Sequence, residues 1–269
     1  LKRELLIKFN LDLTFNQKLV YNLFPRPHFV SEESSIIENK KKIADINQIK
    51  IYFSLDNLFS LKNFNITEVI FENVNFELNN KNRNFFIKVL NNNFLDTNLK
   101  IINSNIFFRN LDNEVLFINK IKNLKYYYDQ NELKNVLFSE NEIFNIPYSL
   151  KVINNEYEKK LFTKINLNFA KFQIENILNY NDDIKLGSST LLVNKKKSRI
   201  NYKANKNFFE FNFIDELDKK KFLYKGKLNF KPFYSNLEGN TEEINISYLF
   251  GTNAIIAELL RTGILNSKN

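Results

Sequence analysis

The chain of 269 residues is 43% hydrophobic, with 28 Phe and 12 Tyr against 5 Gly and 4 Pro, which excludes a disordered, collagen-like or linker-dominated protein and demands a large covered apolar surface. That length suits one large all-β domain or two ordinary ones. The net charge of +9 is spread along the chain, its densest runs (Lys40 to Lys42, Lys195 to Lys197, Lys219 to Lys221) fall where turns are expected, and a phosphate-tracking groove needs tighter clustering.

In chain order, Leu1 opens a sequence that contains no Met, so the chain is expected to be a fragment whose signal or membrane anchor lies upstream. Period-2 alternation then recurs, the mark of strands with one apolar and one wet face. Leu5, Ile7, Phe9, Leu11, Leu13 and Phe15 share one parity. After Phe24-Pro25-Arg26-Pro27 come Ile49, Ile51, Phe53 and Leu55, followed by a helical turn expected near 56–62. Ile102, Ile106 and Phe108 resume the alternation; so do Ile165, Leu167 and Phe169, then Phe209, Phe211 and Phe213, then Phe222, Tyr224, Leu228 and Phe230. Several of these segments exceed the usual strand length of about 5–6 residues, and strands that long must bend. Asn and Asp clusters at 79–82, 91–93, 112–113, 129–131, 154–155, 181–183 and 215–218 supply the turns in place of scarce Gly. From Asn240 the period becomes helical, with Leu249, Ile256 and Leu260 on one side, Asn240 and Glu243 spaced as a capping box and Gly263 as a stop. The expected fold is therefore mainly β: a long curved antiparallel meander with a C-terminal helix near 241–262 covering the end of the sheet.

Chemistry is hard to find along this chain. Its single His, His28, follows two prolines and reads as a loop residue rather than a general base. Glu32-Glu33 and Glu242-Glu243 are adjacent acids that diverge on either a strand or a helix. Gly187-Ser188-Ser189-Thr190 lacks the Gly-Lys-Ser/Thr of a phosphate loop and reads as a turn. Cys is absent, so there is no disulfide framework and no Cys-based metal site. We assign no catalytic residue, metal or cofactor. The aromatics share parity with Ile and Leu, which favours a core or a groove lining over a base-stacking platform. Alternation alone leaves a two-layer sandwich open beside a groove completed by ligand.

The motifs resemble, in order, those of the AsmA-like family, which includes AsmA and the TamB-type factors. Phe24-Pro25-Arg26-Pro27 matches its Phe-Pro-x-Pro element, and Leu58-Phe59-Ser60 a Leu-Leu-like turn. Phe64 to Phe71, carrying Thr67-Glu68-Val69-Ile70, and Val74 to Leu78 match a strand pair of the form x-Glu-x-Ile/Leu. Leu99 to Arg109 looks like its I-x-N/D-G-x-I-x-Y-x-D strand, with Ser104 where Gly is common, and Gly226-Lys227-Leu228-Asn229-Phe230-Lys231-Pro232-Phe233 its late G-x-L-x-x-x-P-F strand. The resemblance implies a single β-groove domain over 1–269: an AsmA-like N-terminal region at 1–90, continuing strands at 98–239 and a capping helix at 240–269. It also implies a protein anchored in the bacterial inner membrane and extending into the periplasm, which carries phospholipid and supports outer-membrane biogenesis without catalysis. The lipid-groove candidates are Ile51, Phe53, Ile106, Phe108, Ile165, Leu167, Phe169, Phe209, Phe211, Phe213, Tyr224, Leu228 and Phe230. The expected partners are phospholipid or another acyl-chain lipid, the membrane through the upstream anchor, and β-rich proteins; nucleic acid is not expected. The first rival is an outer-membrane assembly or scaffold factor acting by β-strand addition. A single-stranded nucleic-acid binder and a hydrolase dependent on His28 rank below it.

Overall fold

The structure is a computed structural model that describes residues 1–54, 65–90, 97–194, 196–215 and 222–240. The helical turn expected near 56–62 and the helix expected near 241–262 lie outside the described residues. The chain is mainly β, as its alternation predicts, and it divides into two compact units, Leu1–Phe144 and Asn145–Asn269.

The first unit opens with a helix, α1 (Lys2–Phe9), where the alternation predicts a strand. The run of apolar residues from Leu5 to Phe15 fits both periods at its start. Leu5 and Phe9, four apart, are both fully buried, whereas Ile7 between them is 64% exposed, so the helical period wins. Asn10 takes a left-handed backbone at the C-cap, and its N–H bonds back to the Leu6 carbonyl. The strands follow: β1 (Asp12–Phe15), β2 (Val20–Asn22), β3 (His28–Glu38), β4 (Lys41–Phe53), β5 (Ile66–Leu78), then helix α2 (Arg83–Leu90), β6 (Asn98–Arg109), β7 (Val115–Asp129) and β8 (Lys134–Ile143). Their spatial order is β1-β3-β4-β5-β6-β7-β8, with β2 also on β3.

One pairing departs from the expected antiparallel meander: β5 and β6 run parallel. Parallel neighbours need a crossover of a dozen residues or more, and the segment that contains α2 supplies it. This sheet is thus mixed. Asn39 and Lys40, with φ of 50° and 64°, make the two-residue β3–β4 hairpin, with Asn in its usual first place and Lys40 where Gly is usual.

Strands β3 to β7 are 11 to 15 residues long, and they bend together. Glu33, Asn73 and Asn103 have φ of 51°, 55° and 49° in mid-strand. The ladders skip these positions, passing from Glu32–Gln48 to Ser34–Ile46 and from Glu72–Ile102 to Asn75–Asn105. The result is a crease across neighbouring strands. At the crease the Ser104 hydroxyl accepts a hydrogen bond from the Val74 N–H at 3.0 Å and donates to the Ile102 carbonyl at 2.8 Å. A side chain thereby satisfies the backbone donor that the ladder misses.

The core of this unit lies on one face of the sheet. Ile46, Ile49, Ile51, Val69, Phe71 and Val74 are all essentially solvent-free. Helix α2 covers part of that face: Phe86 meets Phe76 edge-on at 6.1 Å, and the Tyr126 hydroxyl donates to the Leu90 carbonyl.

The second unit is the expected meander: β9 (Ile146–Asn155), β10 (Lys160–Leu167), β11 (Phe172–Asn179), β12 (Lys185–Val193), β13 (Lys196–Ala204), β14 (Phe208–Asp215), β15 (Phe222–Phe230) and β16 (Phe233–Asn240). Each strand from β9 to β16 pairs antiparallel with the next. A 3₁₀ turn at Asn168–Ala170 separates β10 from β11.

Candidate functional site

Directly opposed residues in antiparallel strands put their side chains on the same face, so the register of the second unit traces each face from strand to strand. One row runs Leu150–Ile165–Ile174–Leu191 across β9 to β12. Another runs Leu161–Leu178–Gly187–Tyr202–Phe211–Gly226–Leu237 from β10 to β16. Ile200–Phe213–Tyr224 and Ala204–Phe209–Leu228 belong to the same face, as do Leu167 with Phe172, and Phe230 with Phe233. The opposite face carries Lys151, Lys164, Glu175, Arg199, Asn201, Lys203, Glu210 and Lys227, with Lys164 and Glu175 paired at 2.9 Å. The first face is the more apolar and carries most of the rings; the opposite face is dominated by charged and amide side chains but also holds the row Ile153–Phe162–Ile177 and the pair Ile214–Leu223.

The structure brings Ile165, Leu167, Phe209, Phe211, Phe213, Tyr224, Leu228 and Phe230 together on this one face. None of them is fully buried: Tyr224 and Phe230 are 37% and 45% exposed and the rest are half-buried. Among the described residues of this unit, no second layer of protein closes the face. In the first unit, by contrast, Ile46, Ile49, Ile51, Val69, Phe71 and Val74 form a closed core.

That contrast corrects part of the candidate set. Ile51 and Phe53 are 0% and 6% exposed, so they are packed by protein and offer no open floor. Ile106 and Phe108 share their face by register and are half-buried, with Phe108 stacked on Phe117 at 4.2 Å. Phe169 lies in the 3₁₀ turn beyond β10, outside the ladder; its parity with Leu167 runs past the end of the strand.

Glycine shapes the open face in a way the alternation does not reveal. Gly187 is not in a turn but inside β12, opposite Tyr202. A Cβ there would stand 2.0 Å from the Tyr202 ring, one at Gly226 would stand 2.2 Å from Phe211, and one at Gly239 2.8 Å from Tyr224. Each ring therefore lies flat over the neighbouring backbone, and only Gly leaves room for it. Flat rings make a low, continuous apolar floor.

A small polar group interrupts that floor. Thr163, Asn176 and Ser189 are consecutive partners on β10, β11 and β12. The hydroxyls of Ser189 and Tyr202 both donate to Asn176 Oδ1 at 2.7 Å. Nearby, the Tyr180 hydroxyl donates to Asn154 Oδ1 at 2.8 Å. Burial and the Glu156 charge raise the Tyr180 pKa, against the pull of that bond, and burial raises that of Tyr148.

In the first unit, residues of two motifs meet. Arg26, from Phe24-Pro25-Arg26-Pro27, forms an ion pair with Glu68, which Lys100 also reaches at 2.5 Å, and its guanidinium lies 4.5 Å over the Tyr52 ring. His28 is the first residue of β3 rather than a loop residue; it is buried, stacks on Tyr52 at 4.7 Å, and its Nδ1 sits 2.7 Å from the Arg26 carbonyl oxygen. Burial pushes the Glu68 pKa up, but the bonds from Lys100 and Arg26 outweigh it and hold the carboxyl below its usual range.

No protein-family model matches the chain, and no curated protein matches it.

Proposed function

We propose that this chain is a non-catalytic, AsmA-like β-groove that binds or conducts phospholipid acyl chains in the periplasm of a bacterial envelope, between inner and outer membranes, in support of outer-membrane biogenesis. The observation that carries this reading is the second unit's apolar face, broken by the Thr163–Asn176–Ser189 row but otherwise half-exposed along eight strands and uncovered among the described residues. Water against such a face is unfavourable, and a contiguous apolar patch of that extent marks an interaction site. Exposing two acyl chains of about 16 carbons costs on the order of 20 kcal/mol at about 0.8 kcal/mol per CH₂. A trough floored by flat rings and branched aliphatics removes most of that cost while the headgroup stays wet. The union of Arg26 with Glu68 also supports the family reading, because it gives two of its motifs one shared physical role. No helix among the described residues is long and apolar enough to cross a membrane, so the proposed membrane attachment rests on the resemblance.

The test is solvent extraction and mass spectrometry of the purified chain. Phospholipid in stoichiometric amount is the expected result, and Phe211→Asp is expected to lower it several-fold while shifting the unfolding midpoint little. Lipid no higher than that carried by an unrelated soluble protein contradicts the proposal.

A further inference from the structure

On the greasy face of the second unit, Asn176 is held as a donor. Its Oδ1 accepts from both Ser189 Oγ and Tyr202 Oη at 2.7 Å, which fills the two lone pairs of that oxygen. In the structure the amide oxygen is turned toward these hydroxyls and its two N–H groups point away from them, with no acceptor among the described residues. Directly opposite it on β10, the Thr163 hydroxyl has no partner among them either. Tyr202 is placed to make its bond by Gly187, whose missing side chain lets the ring cross β12 and reach β11. The surroundings are apolar: Ile174 and Leu178 flank Asn176 along its strand, and Val152 and Ile200 sit in the same row, next to Thr163 and Ser189.

We propose that Asn176 and Thr163 form a polar subsite that hydrogen-bonds the ester carbonyl oxygens of an acyl lipid, with Ser189 and Tyr202 as positioning residues. This rests on the groove reading above and adds to it a fixed point along the floor. Hydrocarbon lying over Asn176 strips water from its N–H groups and returns no acceptor, which is unfavourable. An acyl ester lying there supplies acceptors beside its chain. The subsite sets where the head end of the lipid rests and in which sense the chains run. A carboxylate of a free fatty acid offers the same acceptor chemistry, and the experiment separates the two.

The experiment measures dissociation constants of the purified chain for a dipalmitoyl phospholipid, for its dihexadecyl ether analogue with the same headgroup, and for palmitate. The wild-type chain is expected to prefer ester over ether by about five-fold, the factor that one net hydrogen bond supplies. Asn176→Val is expected to bind both at the ether's affinity, and Tyr202→Phe, which frees the amide to turn, to lose part of the preference. Equal binding of ester and ether by the wild type, or an undiminished preference in Asn176→Val, overturns the subsite and leaves the groove reading standing. Tighter binding of palmitate than of the diester overturns the ester assignment, and failure of the wild type to bind any of the three overturns the groove and the subsite together.

Discussion

Ser104 shows how a single hydroxyl can hold a bent sheet together. At the crease its Oγ takes the Val74 N–H that would otherwise be buried without a partner. Ser104→Ala removes that acceptor and is expected to cost about 1–3 kcal/mol, read as a lowered urea midpoint with unchanged slope. Ser188→Ala, on an exposed hydroxyl, is expected to change the midpoint little. Glu68 is the second such residue. Its folded pKa lies below the unfolded value of ~4.3, so its contribution is complete above that value and fades as the pH falls through the folded one. Wild-type stability is therefore expected to drop on acidification below about pH 4, and Glu68→Gln to be weaker at neutral pH by about 1 kcal/mol, since its cationic partners stay partly solvated. It should also lose less on acidification. A steeper acid loss in the variant than in the wild type contradicts this assignment.

Elements were legible in the sequence wherever one period stood alone. The strands from Ile165 to Phe230 alternate without competition, and their candidate residues meet on one face, with Phe169 as the exception. Period 2 cannot be told from 3.6 in a run as short as Leu5 to Phe9. In α2, Phe86, Val89 and Leu90 do stand at i, i+3 and i+4, but the segment is only 8 residues long, and a run that short, with Ile87 off the stripe, is weak evidence for a helix and none for the parallel pairing it permits. Gly187 and Gly226 carry the missing signal for the flat rings: a Gly amid alternating residues marks a close approach as well as a turn. Gly226→Ala sets a Cβ against Phe211 and is expected to lift that ring and destabilise the second unit by about 1–3 kcal/mol, seen as a lower thermal midpoint. An unchanged midpoint would mean that the ring has room to move.

At the scale of the molecule, the alternation told which residues share a face but not what lies over it. Ile51 and Phe211 carry the same signature in the sequence. In the first unit protein closes over the one; in the second, the described residues leave the other open. A cover is a tertiary fact, set by elements such as α2 that come from elsewhere in the chain. The proposed function requires hydrocarbon to complete the open face. The most direct measurement places a photo-crosslinking amino acid at Phe213 or, separately, at the neighbouring Asn212, which points to the opposite face, and identifies the adducts formed in living cells by mass spectrometry. Acyl-lipid adducts at 213 and none at 212 are the predicted result; adducts equal on both faces, or protein adducts alone at 213, would contradict it.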